Sequence, residues 1–494
     1  MYFKKLGPMA KPRIRSVKFN VLMNMILTSS SLLFPLITVP YVSRVLSTYG
    51  TGAVAFAQSV VTYFSLVALL GISSYGVKAC AQVRDDAAEL SQTVKELLII
   101  LTCSTTLVFA VYLLCIFLVP KMYAQKELFL LFGVALWLAS FGVEWLYQAL
   151  EQYEYITIRN VAIKLFCIVL MFVLIHEQKD YVMYGGIVVL AGYGSNIFNI
   201  IRIRKMVDLR IRTRIDIFRH FKPMIMFFIA TVASGMYVQA DLVMLGFLGT
   251  TNMVGIYQLV IKIKGTFLTA VNSVGNVMLP RLSYYHAQKA EKRMEVLVAK
   301  TLNFSFLVST LIILLCILER DNIVWLLGGE DFMGAVIPLV AISPAIAISS
   351  LNSVLGNYMA SNEKEKIWAT INVVGLFVAI IANLCLIPHF GPTGAALSAV
   401  ACELAVFIIR SIQNIDLLKK IIGKLEFIKV AVCGVITYLA CMFFLKLIGT
   451  MNALFSLFIG SALLCSIFLI TLLVSREYFV NQVLLRLLSF LKRS

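Results

Sequence analysis

Apolar residues in this chain come in runs long enough to cross a hydrocarbon layer, and short polar bursts separate them. A helix needs about 20 consecutive apolar residues to span a bilayer. Runs of that kind predict helices over 19–42, 53–77, 94–119, 127–149, 155–175, 181–201 and 222–247. They continue over 253–279, 299–318, 333–360, 366–387, 393–413, 428–448 and 452–474. The expectation is an all-α integral membrane protein of about fourteen transmembrane helices. The last stretch, 475–494, differs. Phe479, Val483, Leu484, Leu487, Leu488 and Leu491 recur at helical spacing among Arg476, Arg486, Lys492 and Arg493. That pattern predicts an amphipathic helix lying on the membrane surface.

Composition agrees with this class. The chain has 494 residues, 60% hydrophobic and 14% charged, and its mean hydropathy is +0.91. Soluble domains carry roughly 45–50% apolar and about 25% charged residues. An ordinary cytosolic enzyme is excluded, and so is a disordered chain.

The net charge of +18 reads as topology rather than as a nucleic-acid footprint. With the N-terminus inside, the cytoplasmic segments are the loops near 78–95, 150–159, 202–222, 281–300, 361–367 and 410–429, and the C-terminus. The 202–222 loop alone holds Arg202, Arg204, Lys205, Arg210, Arg212, Arg214, Arg219 and Lys222. The opposite loops are poor in Lys and Arg, and Glu319, Asp321, Glu330 and Asp331 make one of them acidic. This alternation predicts a multi-pass protein of the cell membrane with both termini cytoplasmic. Lys4, Lys5, Lys11, Arg13, Arg15 and Lys18 before the first run resemble a signal-peptide head, but the run is long and reads as a retained first helix.

Several chemistries drop out. The ten cysteines form no C-x-x-C pair and the four histidines no H-x-x-x-H spacing, so neither a disulfide framework nor a metal site is indicated. No G-x-x-x-x-G-K-[ST] motif is present. With no extramembrane segment longer than about two dozen residues, no nucleotide-binding domain fits. Transport driven by an ion gradient, or by the substrate's own gradient, is what remains.

The basic loop suggests a division: an N-terminal lobe over 1–201, a basic cytoplasmic linker over 202–222, and a C-terminal lobe over 223–413. Two further helices follow over 414–474, then the tail over 475–494. A shift of 203 positions superposes Gly52 on Gly255 and Lys78 on Arg281. Six spans per lobe keep both lobes in one orientation, as a parallel repeat about the membrane normal requires.

Ionisable residues inside spans are costly and usually face a cavity or a partner. Those here are Glu144, Lys164, Asp241, Lys262, Lys264 and Glu403, with Arg44 and Arg159 near span ends. Glu144, Gln148 and Glu151 would share one helix face, as would Ser234, Tyr237 and Asp241, and Lys262, Thr266, Thr269 and Ser273. Polar stripes on several helices imply a shared aqueous cavity. Arg44, Lys164, Lys262 and Lys264 would supply positive charge for an anionic headgroup. The structural alternative is inter-helix ion pairing, for example Glu144 with Lys164, or snorkelling of Lys262 and Lys264. Asp241 and Glu403 are candidates for carrying a coupling Na⁺ or H⁺. Pro35, Pro40, Gly71, Gly76, Pro338 and Pro344 are candidate kinks.

The segment 40–86 resembles the N-terminal signature of the oligosaccharide flippases. These are the polysaccharide-transporter branch of the superfamily that also holds the multidrug and toxic-compound extrusion transporters. Pro40, Arg44, Tyr49-Gly50, Gly71, Gly76, Lys78 and Arg84-Asp85 fit that signature, while Gly50-Thr51-Gly52 departs from its usual single Gly. EWLYQALEQYEYITIRN (144–160), DLVMLGFLGTTNMVGIYQLVIKIKG (241–265) with LPRLS (279–283), and NLCLIPHFGPTGAALSAVACELAVFIIR (383–410) look like three further blocks of the same family. The resemblance implies two six-helix lobes around a partly cationic cavity. It implies translocation of a polyprenyl-diphosphate-linked oligosaccharide from inner to outer leaflet, feeding capsule, O-antigen or teichoic-acid assembly. The candidate substrate-binding residues are then Arg44, Lys78, Glu144, Arg159, Lys164, Lys262 and Lys264, with membrane lipids as surroundings and a functional monomer.

Two other readings stand beside it. A drug/cation antiporter of the same superfamily would favour acidic residues in the cavity, whereas basic ones are at least as frequent here. A membrane glycosyltransferase or polymerase would need a sizeable external loop with catalytic carboxylates, and the external loops are short.

Overall fold

The computed structural model describes residues 17–204, 206–209, 215–362, 364–448, 453–477 and 479–481. The basic residues before position 17, Lys205, Arg210, Arg212 and Arg214 of the linker, and most of the 475–494 tail lie outside the described residues. Among the described residues every regular element is helical. The chain divides into two compact units at 247/248.

The first unit contains α1 (Val17–Ala68), α2 (Ile72–Gln82), α3 (Ala87–Leu118), α4 (Pro120–Tyr123) and α5 (Lys126–Phe141). It continues with α6 (Glu144–Ala149), α7 (Tyr153–Leu174), α8 (Tyr181–Val189), α9 (Asn196–Ile203) and α10 (Phe218–Leu248). The second contains α11 (Thr251–Ala287), α12 (Glu291–Leu318), α13 (Arg320–Gly328), α14 (Val336–Ile342) and α15 (Pro344–Ser361). It ends with α16 (Glu365–Gln413), α17 (Ile415–Ile421), α18 (Phe427–Ile448) and α19 (Ala453–Val474).

Eleven helices among the described residues are long and apolar enough to cross a membrane, or up to twelve if the bent pair Glu330–Ile342 and Pro344–Ser361 is one span. This is fewer than the fourteen expected, for a physical reason. The stretches Leu22–Gln82 and Lys366–Gln413 run 61 and 48 residues. A straight helix of 61 residues would reach about 90 Å, three times the hydrocarbon thickness. Leu22–Gln82 leaves helical geometry at Ser47 (φ 56°, ψ −172°) and again at the Leu70–Gly71 joint, and Lys366–Gln413 leaves it at Gly391 (φ 53°, ψ −126°). The expected kinks at Pro35 and Pro40 are absorbed inside α1, while the expected break at Pro344 is real, with a bend of 48°.

Packing follows the logic of a lipid-facing protein. Leu107, Val111, Leu114 and Leu118 recur along α3 and are 47–69% exposed. In water such a stripe would be a liability, but against lipid tails it costs nothing. The interior of the first unit gathers Ile72, Tyr75, Cys80, Leu97, Leu101, Trp145, Leu146 and Tyr147 from α2, α3 and α6. In the second unit Met278, Leu282, Val298, Leu302, Val354 and Ile421 form one cluster. Val430, Cys433, Cys441, Leu464 and Phe468 form another, between α18 and α19.

All ten cysteines are unpaired, and Cys103, Cys385 and Cys465 are the exposed ones. α3 starts at Asp86, whose Oδ1 accepts from Ala88 N (2.8 Å) and Glu89 N (3.1 Å). Asp86→Ala is expected to cost about 1 kcal/mol. It should show as a lower Tm in detergent, with Asp86→Asn close to the parent.

Candidate functional site

The site with the most unsatisfied chemistry lies where α5 gives way to α6. Val143 adopts φ 41°, which ends one helix and turns Glu144 onto the first turn of the next. A broken helix frees carbonyls, and α9 supplies their donors. Asn196 Nδ2 donates to Leu138 O at 3.0 Å, and Asn199 Nδ2 donates to Gly142 O. Asn196 and Asn199 are one helical turn apart, so a single face of α9 holds the break open.

Glu144 then meets Arg159, from the early turns of α7, at 3.4 Å. The Arg159 side chain is only 4% exposed, that of Glu144 36%. Glu144 takes Nη2; Nε and Nη1 of Arg159 are buried without a hydrogen-bond partner. The guanidinium lies 5.6 Å from the Tyr155 ring centre. Arg202 lies 4.0 Å from that ring and 6.0 Å from the Tyr147 ring. Tyr147 and Tyr155 stack with centroids 5.1 Å apart. Two guanidinium groups thus sit on one aromatic pair, and the Glu144 carboxylate meets only one nitrogen of Arg159. Buried guanidinium N–H groups without acceptors are costly. A phosphate or diphosphate offers oxygens that match them.

The other expected residues divide. Glu144 does not pair with Lys164, as the structural alternative had it. Lys164 Nζ instead donates to Ser31 Oγ at 2.7 Å and Ser30 Oγ at 3.4 Å on α1. Glu151 does not share a helix face with Glu144, because α6 stops at Ala149. Glu151 takes φ 55° and pairs with Arg84 at 2.9 Å. Gln148 remains beside Glu144, at 3.5 Å. Arg44 is exposed and donates to Pro40 O at 2.9 Å. Lys78 is exposed on α2, and Asp241 is buried in α10.

In the second unit Lys262 and Lys264 are half-buried on α11, with no salt bridge to either among the described residues. Thr266, Thr269 and Ser273 turn their hydroxyls back to the carbonyls of Lys262, Gly265 and Ala270. Such back-bonding satisfies a hydroxyl inside a membrane helix. Glu403 accepts from Asn352 Nδ2 at 2.8 Å, which ties α16 to α15. Buried Arg410 donates to Asn352 O at 2.6 Å and to Asn372 Oδ1 at 2.9 Å.

Sequence reasoning missed Arg410 and, more seriously, a polar cluster of Tyr75, Glu96, Arg219 and His220. Starting α3 at 94 made Glu96 a residue at a span end. The helix begins at Ala87, so Glu96 is more than two turns inside and fully buried. Gln92, at i−4 and bonded to Glu96 at 2.9 Å, is the signal that could have found it.

A multi-helix membrane protein that buries under-neutralised cationic charge is the class these features define. The chain belongs to the polysaccharide biosynthesis protein family, whose profile matches residues 17–286. A MatE profile matches 223–385. The chain is 23% identical over 406 residues to a putative O-antigen transporter of Shigella dysenteriae, covering 80% of this chain and all of that one. It is 23% identical over 399 residues to a putative O-antigen transporter of Escherichia coli (strain K12), covering 79% and 95%. The solved structure of a lipid II flippase, MurJ, in an inward closed conformation shares the fold, with a TM-score of 0.74 at 14% identity over 93% of this chain and all of that one. These relatives are named as transporters and a flippase, in line with the expectation that the chain is not an enzyme.

Proposed function

We propose that this protein carries a polyprenyl-diphosphate-linked oligosaccharide from the inner to the outer leaflet by alternating access, for assembly of a surface polysaccharide. The observation that carries the reading is the buried Arg159 guanidinium with two unpartnered nitrogens. A diphosphate is the part of such a substrate that needs charge, its sugars need water, and its lipid tail stays in the bilayer. The O-antigen transporter relatives and the MurJ-like fold support the substrate class.

In this reading Arg159 holds the headgroup in the first unit, Glu144 sets the position of its guanidinium through Nη2, and Lys262 and Lys264 offer positive charge in the second. Lys78 and Lys164 line its approach, and Arg44, beside the Ser47 turn, its exit. A crossing on each side of Ser47 and of Gly391 gives fourteen spans, with both termini cytoplasmic. A parallel repeat draws support from helix breaks at Gly142–Val143 and Ser343–Pro344, roughly one repeat length apart, the first made by a left-handed residue and the second by a proline bend. The protein acts as a monomer. Asp241, buried in α10, and Glu403, which accepts from Asn352, remain the candidates for a coupling Na⁺ or H⁺.

The test is depletion in the native host, followed by mass spectrometry of extracted polyprenyl lipids. One diphosphate-linked oligosaccharide should accumulate, inaccessible from outside, and identify the sugar. An unchanged lipid pool with intact surface polymer would reject the flippase and leave the drug/cation antiporter.

A further inference from the structure

Glu96 is fully buried, and both its carboxylate oxygens are hydrogen-bonded. Its Oε1 accepts from Asp216 N and from Gln92 Nε2, both at 2.9 Å. Its Oε2 accepts from Arg219 Nε at 2.9 Å, and lies 2.7 Å from Arg219 Nη2 and 2.8 Å from His220 Nε2. Arg219 Nη2 also donates to Thr93 Oγ1 at 3.2 Å. The other ring nitrogen of His220, Nδ1, is 2.7 Å from the Tyr75 hydroxyl. With Nε2–H donating to the carboxylate, Nδ1 is the acceptor and Tyr75 the donor. A continuous hydrogen-bonded line therefore runs from α3 through the start of α10 to α2. Its last link, Tyr75 to His220, joins a neutral hydroxyl to a ring nitrogen and is weaker than the charge-assisted links behind it.

α2 is a short helix set off from α1 by a sharp joint. It is 11 residues long and is separated from α1 by Leu70 (φ 46°) and Gly71 (φ 75°), both left-handed. A Cβ at Gly71 would lie 2.5 Å from Phe228 N, so the bare backbone of α10 is the bearing against which this joint rests. At its far end the chain reverses into α3 through a turn closed by Asp86 N donating to Val83 O at 3.1 Å. Tyr75 and Gly76 face inward, whereas Ser73, Ser74 and Lys78 are exposed. Ser74 and Lys78 are one turn apart on the same side. An ammonium exposed on a membrane span faces water rather than lipid.

We infer that Tyr75, His220 and Glu96 are positioning residues that hold α2 so that Lys78 faces the substrate path, and that opening the Tyr75–His220 link lets α2 turn about Gly71. This rests on the flippase reading with Lys78 on the path.

The first experiment needs no substrate. Hydrogen–deuterium exchange is followed by mass spectrometry on the full-length protein in nanodiscs, for the parent, Tyr75→Phe and Glu96→Gln. Tyr75→Phe keeps the ring and removes only the hydroxyl. Exchange over 72–82 should rise by about three- to tenfold in Tyr75→Phe and at least as much in Glu96→Gln, with 54–66 unchanged. Parent-like exchange over 72–82 in Tyr75→Phe overturns the latch, whether or not Glu96→Gln folds. The second experiment measures flipping in proteoliposomes loaded with the lipid recovered on depletion. If Tyr75 acts through Lys78, Tyr75→Phe slows flipping in the parent but no further in Lys78→Ala. Losses that multiply overturn the positioning role while leaving the flippase reading intact. Absence of any lipid accumulation on depletion removes that reading, and with it the role of Lys78, whatever the exchange data show.

Discussion

Arg159→Ala is expected to lower flipping about a hundredfold or more and to abolish surface polymer, with the protein still inserted at close to the parent level. Each charge-assisted hydrogen bond to a buried group contributes about 1.5–3 kcal/mol. Nε and Nη1 of Arg159 offer two donors that no protein group occupies. Losing both removes a large part of any diphosphate's attachment. The fold should tolerate the change, because the carboxylate left behind belongs to Glu144, whose side chain is 36% exposed and can be hydrated. Arg159→Lys keeps the charge but loses the planar fork, and should fall between. Glu144→Gln removes the competing anion and should flip at least as well as Arg159→Lys. Complementation of a depleted host, with immunoblotting for protein level, checks all three. Polymer at parent levels in Arg159→Ala would remove this residue from the headgroup site.

Gly71→Ala should be the most damaging small substitution in the first unit. A left-handed residue with a Cβ costs about 1–2 kcal/mol. Forcing an extra carbon into a packed contact adds about 1–3 kcal/mol. Here both penalties fall on one atom, since φ is 75° and the nearest neighbours are backbone atoms of Phe227 and Phe228 that cannot rotate aside. A loss of about 2–5 kcal/mol is expected. It should show as a strongly lowered Tm in detergent and reduced membrane levels. Gly265, whose Cβ position is open, serves as the control, and Gly265→Ala should leave both nearly unchanged.

Hydropathy carried the class and most of the elements, because a bilayer demands long apolar runs wherever the backbone crosses it. α18 and α19 fall within a residue of their expected starts. What hydropathy does not encode is whether a turn between two runs breaks the helix by several residues or by one. The turns at Ser47 and Gly391 are single-residue breaks, and the stretches on either side run on as one. The site was half legible. Arg159, Glu144 and Lys164 were visible as charges at membrane depth, but their partners were not. Glu144 could reach Arg159 only because α5 breaks at Val143, and nothing in the apolar pattern marks that break. Asn196 and Asn199, which secure it from α9, look like ordinary polar residues in a span. Glu96 and His220 were hidden for a different reason. Both fell at assumed helix ends, where charge is expected and draws no notice.

The unpaired cysteines have a practical consequence for spectroscopy. A thiol reacts with a maleimide as the thiolate. Six of the ten cysteines are buried and Cys115 is partly so. Cys103 and Cys465 are exposed near the middle of α3 and α19, at the depth where a spanning helix meets lipid tails, and are expected to stay protonated there. Cys385, shortly before the Gly391 break, is the first native thiol to replace. With that one change, water-soluble labels placed on cysteines substituted for exposed Lys78 and Lys222 should report the distance between α2 and α10 against a silent background. The membrane thus does the work that a cysteine-free variant would otherwise be made to do.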